Sequence, residues 1–252
     1  MIIPGKNLWD MYLEMNHDLF TQVRPEHYYR GYQKIDTCLI AFAEKIGEFP
    51  LTLKDMNYTH LKMNNLIKHY FNEKELEKYK SQRVKALKAK QASMFFSTIG
   101  EAKGAHKKDH CIRGVGINFI GKKIVHVHLF YRSSEISRKF LADLIFFSEF
   151  LFPKLEIPTD VPCTFHFTCG YVHAKQFPNY LVTSQDKKID NKIKIYRGWE
   201  DERMEAQVKK NLVQVIEGKI PGFGMIRATN KLFQEAYESS KRVRTASKYL
   251  ID

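Results

Sequence analysis

Five groups of residues have types and spacings suited to chemistry. Cys111 follows Lys107, Lys108 and Asp109 and stands two residues before Arg113. Fixed cations beside a thiol lower its pKa, and the thiolate is the reactive form. Cys111 is therefore the candidate nucleophile, with packing as the alternative role of a single cysteine. The run Tyr131-Arg132-Ser133-Ser134-Glu135 lies between a strand pattern and the strongest helix pattern. An Arg and a Ser at such a junction grip phosphate through a bidentate fork and a hydroxyl. The alternative is that Ser133 or Ser134 caps the helix. Asp143 sits amid Phe140, Leu141, Leu144 and Ile145. A carboxylate so placed is partly buried and needs a partner, or it stays protonated. A ligand amine or a neighbouring Lys or Arg would serve. His126 and His128 share one face of a strand and could ligate a metal. No Cys or carboxylate stands at matching spacing, so sheet-surface histidines are the simpler account and no metal is expected. His166 and His173 lie further on, and no Walker loop, GxGxxG, HExxH or GxSxG occurs.

Composition narrows the partners. The chain has 252 residues, 44% hydrophobic and 27% charged, enough for one sizeable core in a soluble domain. Lys and Arg total 41 against 28 acids, a net charge of +13. That balance favours nucleic acid, nucleotides or other phosphorylated small molecules. Cys38, Cys111, Cys163 and Cys169 lack CxxC spacing, which argues against a zinc ribbon and for reduced thiols in the cytoplasm. The apolar run from Leu141 to Phe152 is interrupted by Asp143, Ser148 and Glu149, so no membrane span is expected. The opening residues lack the apolar core of a signal peptide.

The elements that must carry these groups follow from periodicity. Leu8, Tyr12, Met15 and Leu19 predict a helix. Ile35, Cys38, Leu39, Phe42 and Ile46 predict a second, with Gly47 placed to stop it. Leu61, Leu66, Ile67 and Tyr70 suggest a third. From Asn72 to Gln91 the chain turns strongly basic, a solvated helix face or a phosphate-facing patch. After residue 91 the period becomes two. Ser93 to Thr98 reads as a strand. Ile112 to Phe119 and Lys123 to Tyr131 read as a hairpin with Gly121 in the turn. Val125, Val127, Leu129 and Tyr131 face one side of it, with His126 and His128 on the other. Cys163, Phe165 and Phe167 mark another strand, and Ile193 and Ile195 one more. Between them, Ile136, Phe140, Leu144, Phe147 and Leu151 form the best helix face, ended by Pro153. Met204 to Val215 and Leu232 to Tyr237 suggest late helices. The expectation is one α/β (α+β) domain over 1–252, with a mainly helical part at 1–91 and a sheet and nucleotide-site part at 92–252.

These residues together resemble thymidylate synthase and its relative deoxycytidylate hydroxymethylase. In that family a catalytic cysteine starts a strand, a hairpin follows, and a Tyr-x-Arg-Ser-type motif binds the nucleotide phosphate. Arg132 stands 21 residues after Cys111, close to the family spacing. The family's base-reading residue lies 11 after that Arg, at Asp143, and its sugar-binding His 41 after, at His173. Thr21-Gln22-Val23-Arg24 resembles the early loop whose Arg holds phosphate. Phe49-Pro50-Leu51-Thr52 and His60-Leu61-Lys62 resemble the family's Phe-Pro-Leu segment and the helix after it. Lys88 and Lys90 stand where the family places arginines that reach the partner subunit's phosphate site. Pro162-Cys163 is a second Pro-Cys pair, but Val182, Thr183 and Ser184 follow it where an Arg would be required.

The resemblance implies a thymidylate synthase-like mixed sheet with flanking helices, paired back to back in a homodimer. It implies a pyrimidine deoxynucleoside monophosphate as substrate, with C5 hydroxymethylation or methylation from 5,10-methylenetetrahydrofolate. The family's Asn at the base-reading position suits uracil. Asp143 suits cytosine, through N3 and the exocyclic amine, so dCMP is favoured over dUMP. The chain departs from the family at several positions. Asn65 or Ile67 stands where a catalytic Glu is usual, and Lys175 where a Tyr is usual. Lys139 and Leu141 lie where the family has the Gly and Pro of a folate-facing turn. Glu135 or Asp109 would then be the substitute acid.

Overall fold

The computed structural model describes residues 2–21, 28–29, 33–57, 73–97, 111–173, 176–183, 217–219 and 225–241. Its centre is a mixed sheet. Strands β1 (Ile2–Gly5), β3 (Gln33–Ala43), β4 (Ser93–Ser97), β5 (Ile112–Ile120), β6 (Lys123–Glu135) and β7 (Cys163–His173) lie in the order β1-β3-β7-β6-β5-β4. The two-residue β2 (Tyr28–Tyr29) pairs with β3 outside this path. β1 runs parallel to β3 and β6 parallel to β7; the other neighbours are antiparallel.

The β5–β6 hairpin forms where the period-two pattern predicts it. Ile120 pairs with Lys123 across a two-residue turn, and Gly121 takes φ +59° there without the penalty of a Cβ. Val127, Leu129 and Tyr131 of β6, with Cys163, Phe165 and Phe167 of β7, are buried on one face. Helix α1 (Leu8–Thr21) and the helical stretch α3 (136–154) cover that face. α1 is capped by Asn7, whose Oδ1 accepts from the Asp10 N–H at 2.9 Å. Its predicted stripe of Leu8, Tyr12, Met15 and Leu19 is buried. Gly5 is required at the end of β1, because a Cβ there would lie 2.3 Å from the backbone nitrogen of Met11.

α3 begins and continues with wide π turns at Ile136–Phe140 and Phe147–Leu151, around an α-helical core at Leu141–Phe146. Its predicted face of Ile136, Phe140, Leu144, Phe147 and Leu151 is at most 2% exposed. Phe140 meets Phe165 and Phe167 edge to face at 5.2 and 5.0 Å. Each such ring removed from water stabilises the fold by roughly 1.5–3 kcal/mol. Helix α4 (Phe177–Thr183) is tied to the start of α3 by side chains. The Ser137 carbonyl accepts from the Tyr12 hydroxyl at 3.0 Å and from the Asn179 amide at 2.7 Å. α5 (Lys231–Lys241) forms where the Leu232–Tyr237 pattern places a helix. Pro153 does not end α3. The helix closes after Lys154 through Glu156 at φ +53°, with the Ile157 N–H bonded back to the Phe152 carbonyl.

The largest correction is at residues 35–46. The predicted second helix is β3, flanked on both sides by other strands. Leu39, Ala41 and Ala43 are buried on one face while Ile40 and Phe42 are half-buried on the other. A strand apolar on both faces shows no alternation, so the residues also fit a helical stripe. The 1–91 part therefore holds strands as well as helices: β1, β2 and β3 belong to the same sheet as the later strands. The predicted elements at Leu61–Tyr70, Ile193–Ile195 and Met204–Val215 lie outside the described residues.

The basic segment is helix α2 (Glu73–Lys88). Its lysines 85 and 88 are exposed, and Tyr79 anchors it by donating to the Leu155 carbonyl at 3.0 Å. Among the described residues, no helix is long and apolar enough to cross a membrane.

Candidate functional site

Cys111 immediately precedes β5, and its carbonyl accepts the backbone N–H of Arg132 at 2.9 Å. The next pair across the ladder is Ile112 with Tyr131. The hairpin therefore brings Cys111 and Arg132 side by side, although 21 positions separate them. The Arg132 side chain is exposed and Ser133 is half-buried. Ser133 pairs with Cys169, and Glu135 with Tyr171, across the parallel β6–β7 ladder. His173 closes β7, two residues past Tyr171, and is half-buried.

Asp143 reaches the same region from the first turn of the α-helical core of α3. It is 3% exposed and accepts from the Tyr131 hydroxyl at 3.3 Å. Tyr131 is itself held among Phe140, Phe147, Phe165 and Phe167. One partner of Asp143 is thus a phenol. Asp143, Lys139, Arg132 and Arg113 are all close enough to act on the Cys111 thiol.

The sign of that action differs from the expectation. Burial pushes the Cys111 thiol above its ordinary value, and the Asp143 carboxylate raises it further. Lys139, Arg132 and Arg113 oppose the rise and do not reverse it. A half-buried thiol beside a carboxylate loses more by ionising than three partly solvated cations return. Lys107, Lys108 and Asp109, which the sequence sets beside Cys111, lie outside the described residues.

Glu135 is the helix cap that the sequence assigns to Ser133 or Ser134. Its two carboxylate oxygens accept from the Arg138 N–H at 3.0 Å and from Arg138 Nε at 2.9 Å. Ser134 Oγ is buried and makes no hydrogen bond. Glu135 is 2% exposed, and burial raises its pKa against the opposing pull of Arg138 and Lys139. Tyr171 is also raised, chiefly by burial and then by Glu135 and Cys111. Glu135, Tyr171 and Cys111 therefore share one electrostatic environment. Tyr171 has no place in the sequence-based set, although the alternation of β7 puts it on the same face as Cys169 and His173.

The other candidates fall elsewhere. Arg24 lies outside the described residues, as do residues 64–67, where the family's Glu belongs, and Lys175. Lys90 is the terminating residue of α2, at φ +53°, with the Gln91 N–H bonded to the Ala86 carbonyl at 2.9 Å. Lys88 and Lys90 precede Ser93, which pairs with Asn118 at the far end of β5 from Cys111. By strand rise that is about 20 Å away, so within one chain they do not join the Cys111 group. At the position of the folate-facing turn, Lys139 and Leu141 lie within the unbroken helix α3, and Leu141 is fully buried. The turn that the resemblance places there is helical backbone in this chain.

A second cluster lies on the opposite, open face of the sheet. His126 and His128 stack at 4.3 Å, and His128 Nδ1 lies 3.2 Å from His166 Nε2. His126 Nε2 is 2.7 Å from Thr164 Oγ1, and Asn118 Nδ2 is 3.3 Å from His128 Nε2. Among the described residues, no group of three or more His, Cys, Asp or Glu side chains is arranged to hold a metal ion. His126, His128 and His166 are half-buried on the surface of the sheet.

Comparison of the chain with protein-family models and with curated protein sequences found no match.

Proposed function

We propose that the chain is a pyrimidine deoxynucleoside monophosphate C5 hydroxymethyl- or methyltransferase, with dCMP favoured over dUMP. The observation that supports it most is the juxtaposition of Cys111 with Arg132 across the hairpin, with Asp143 acting on the same thiol. Arg132 and Ser133, with Arg24, would hold the phosphate, and His173 the sugar hydroxyl. Asp143, oriented by the Tyr131 hydroxyl, would pair with N3 and the exocyclic amine of cytosine. The Cys111 thiolate would add to C6, leaving an electron pair at C5. That pair would attack a one-carbon electrophile at the formaldehyde oxidation level. Loss of the C5 proton and departure of the donor's carrier group would leave an exocyclic methylene. Water would add to it to give hydroxymethyl, or a hydride from the donor to give methyl, as the thiolate is expelled from C6 and the ring is restored. Glu135 is a second buried carboxyl in this neighbourhood besides Asp143, and its raised pKa suits a proton carrier.

Methylenetetrahydrofolate is the donor that the resemblance implies, and it enters here only as a reagent to be tried. A homodimer paired through the open sheet face, with Lys88 and Lys90 reaching the partner's phosphate site, belongs to the same proposal. The raised thiol of Cys111 favours a second reading, a nucleotide- or nucleic-acid-binding relative without catalysis. The unbroken helix at Lys139–Leu141 favours a third, an enzyme on this scaffold with another donor.

Tritium release from 5-tritiated dCMP and dUMP tests the set, with methylenetetrahydrofolate present and with wild type against Cys111→Ala. Release from dCMP that is abolished in the variant is expected. Release from dUMP alone overturns the role given to Asp143. No release, with polynucleotide affinity that falls steeply with salt, overturns the enzyme in favour of the binding protein.

A further inference from the structure

The outer face of helix α2 is basic, and most of it has no part in the proposed reaction. At about 100° per residue, Lys74, Lys78, Lys85 and Lys88 fall within about 80° of one another, with Ser81 in the gap between them. All five side chains are exposed. Tyr79 and Ala86 lie on the opposite side of the helix and are buried. Tyr79 donates to the Leu155 carbonyl at 3.0 Å and meets Phe96 edge to face at 6.0 Å. The helix is thus seated by its apolar side, and its lysines turn outward. Phe96 pairs with Val115, and Val115 with the buried Leu129, so α2 packs on the covered side of the sheet. The lysine face is therefore not part of the open sheet face.

These charges are not neutralised along the helix. Among the described residues, the ion pairs of the α2 cations are Lys80 with Glu77 at 2.9 Å and Arg83 with Glu156 at 2.8 Å. Neither involves the stripe. The basic surface also continues past the helix. Lys90 is exposed at its terminus, and the Phe119 N–H donates to the Ala92 carbonyl at 2.7 Å. That bond brings the β5–β6 turn beside the end of α2, with Lys122 and Lys123 exposed on it.

The arrangement selects among anionic partners. A single phosphate is held by cations that converge on one point, and these are strung along a line. From Lys74 to Lys88 the line is about 21 Å long, roughly six base steps of a duplex. A membrane is held by apolar side chains that insert as well as by charge, and the stripe has none. Glu73 and Glu77 border it on one side and Glu75 on the other, so a flat anionic surface would also meet carboxylates. A sugar-phosphate backbone follows a line of charge and releases counterions at each lysine.

We propose that the lysine face of α2, extended by Lys90, Lys122 and Lys123, binds the phosphate backbone of a polynucleotide without reading its sequence. Lysines act there as point charges on flexible stems, which position a backbone and do not discriminate bases. This inference is independent of whether Cys111 is catalytic.

The test is fluorescence anisotropy of a labelled mixed-sequence DNA of about 20 nucleotides, single-stranded and as a duplex, titrated with the untagged full chain at about 50–200 mM KCl. The logarithm of affinity should fall against the logarithm of salt with a slope of about −3 or steeper, as four or more phosphate contacts require. The double variant Lys78→Ala/Lys85→Ala should flatten the slope by about 1.4–1.8 and weaken binding by about tenfold or more at about 100 mM salt. Both side chains are exposed, so its unfolding midpoint should match the wild type, and it leaves Lys88 and Lys90 in place. Lys80→Ala, on the same helix but off the stripe, should change neither slope nor affinity. Excess dCMP should not displace the DNA, which separates this surface from the Cys111 site. Equal binding by the double variant, displacement by dCMP, no binding at the lowest salt, or retention on phosphatidylserine vesicles without binding to DNA overturns the assignment.

Discussion

Two clusters of titratable side chains lie on one sheet and are built on opposite principles. The Cys111 group, at the junction of β5, β6 and α3, mixes carboxylates, cations, a thiol and a phenol: Asp143, Glu135, Lys139, Arg132, Arg138, Cys111 and Tyr171. The open-face group has only imidazoles, with Asn118 and Thr164 as polar neighbours. In the first, opposite charges are present, yet burial still raises Cys111, Glu135 and Tyr171. In the second, no opposite charge acts, and burial keeps the rings neutral. Desolvation is the largest cause in both, and it acts in opposite directions on acids and bases. The first cluster therefore holds protons and the second offers lone pairs.

The largest effects should separate the two faces. Phe167→Ala, on the covered face among Tyr131, Phe140 and Phe165, is expected to cost about 3–5 kcal/mol in denaturant unfolding. Phe130→Ala, half-buried on the open face against Phe95 and His166, should cost less than half of that. Equal costs would mean that the open face is packed as tightly as the covered one in solution. Glu135→Ala should cost about 3–5 kcal/mol, because Arg138 loses its buried partner and α3 loses its cap. A loss below 1 kcal/mol, about the value of an exposed pair, would remove Glu135 from the buried group.

Smaller effects test the finer contrast. Tyr131→Phe deletes the hydroxyl that Asp143 accepts and should cost about 1 kcal/mol. In a functional assay it should relax the preference between dCMP and dUMP, and an unchanged preference would detach Tyr131 from base reading. The histidines have lowered folded-state pKa values, so below about pH 6.5 the unfolded chain binds protons more readily. Stability should be complete above that pH and fall as pH drops through it toward the folded values. A triple His→Gln variant at positions 126, 128 and 166 should flatten this part of the profile. Cys111 should behave oppositely. Its iodoacetamide alkylation should lag a free thiol at neutral pH and rise with a midpoint above the ordinary thiol value. A midpoint below that value would show that the cations prevail.

The contrast between clusters also explains what was legible in the chain. Cys111, Arg132 and Asp143 were readable because a short hairpin and the helix after it join them, and local periodicity reveals both. β3 was not readable as a strand, because its two faces are both apolar and its partners are β1 and β7. Lys90 reads as one more lysine in a basic run, whereas its left-handed backbone makes it a helix terminator. Glu135 could be suspected as an acid but not placed. Its role as cap depends on where β6 ends and α3 begins, and that point is set by packing against α1 and β7.

The amino-acid sequence by itself determined the basic charge, the hairpin, the buried face of α3, and the neighbourhood of Cys111 and Arg132. These rest on composition and on contacts between segments close in the chain. The tertiary structure alone decided that β3 is a strand, that burial outweighs the cations at Cys111, and that His128 meets His166. Each of these depends on which distant segments exclude water from which groups, and a parallel pair such as β6 and β7 has a register that no local pattern encodes.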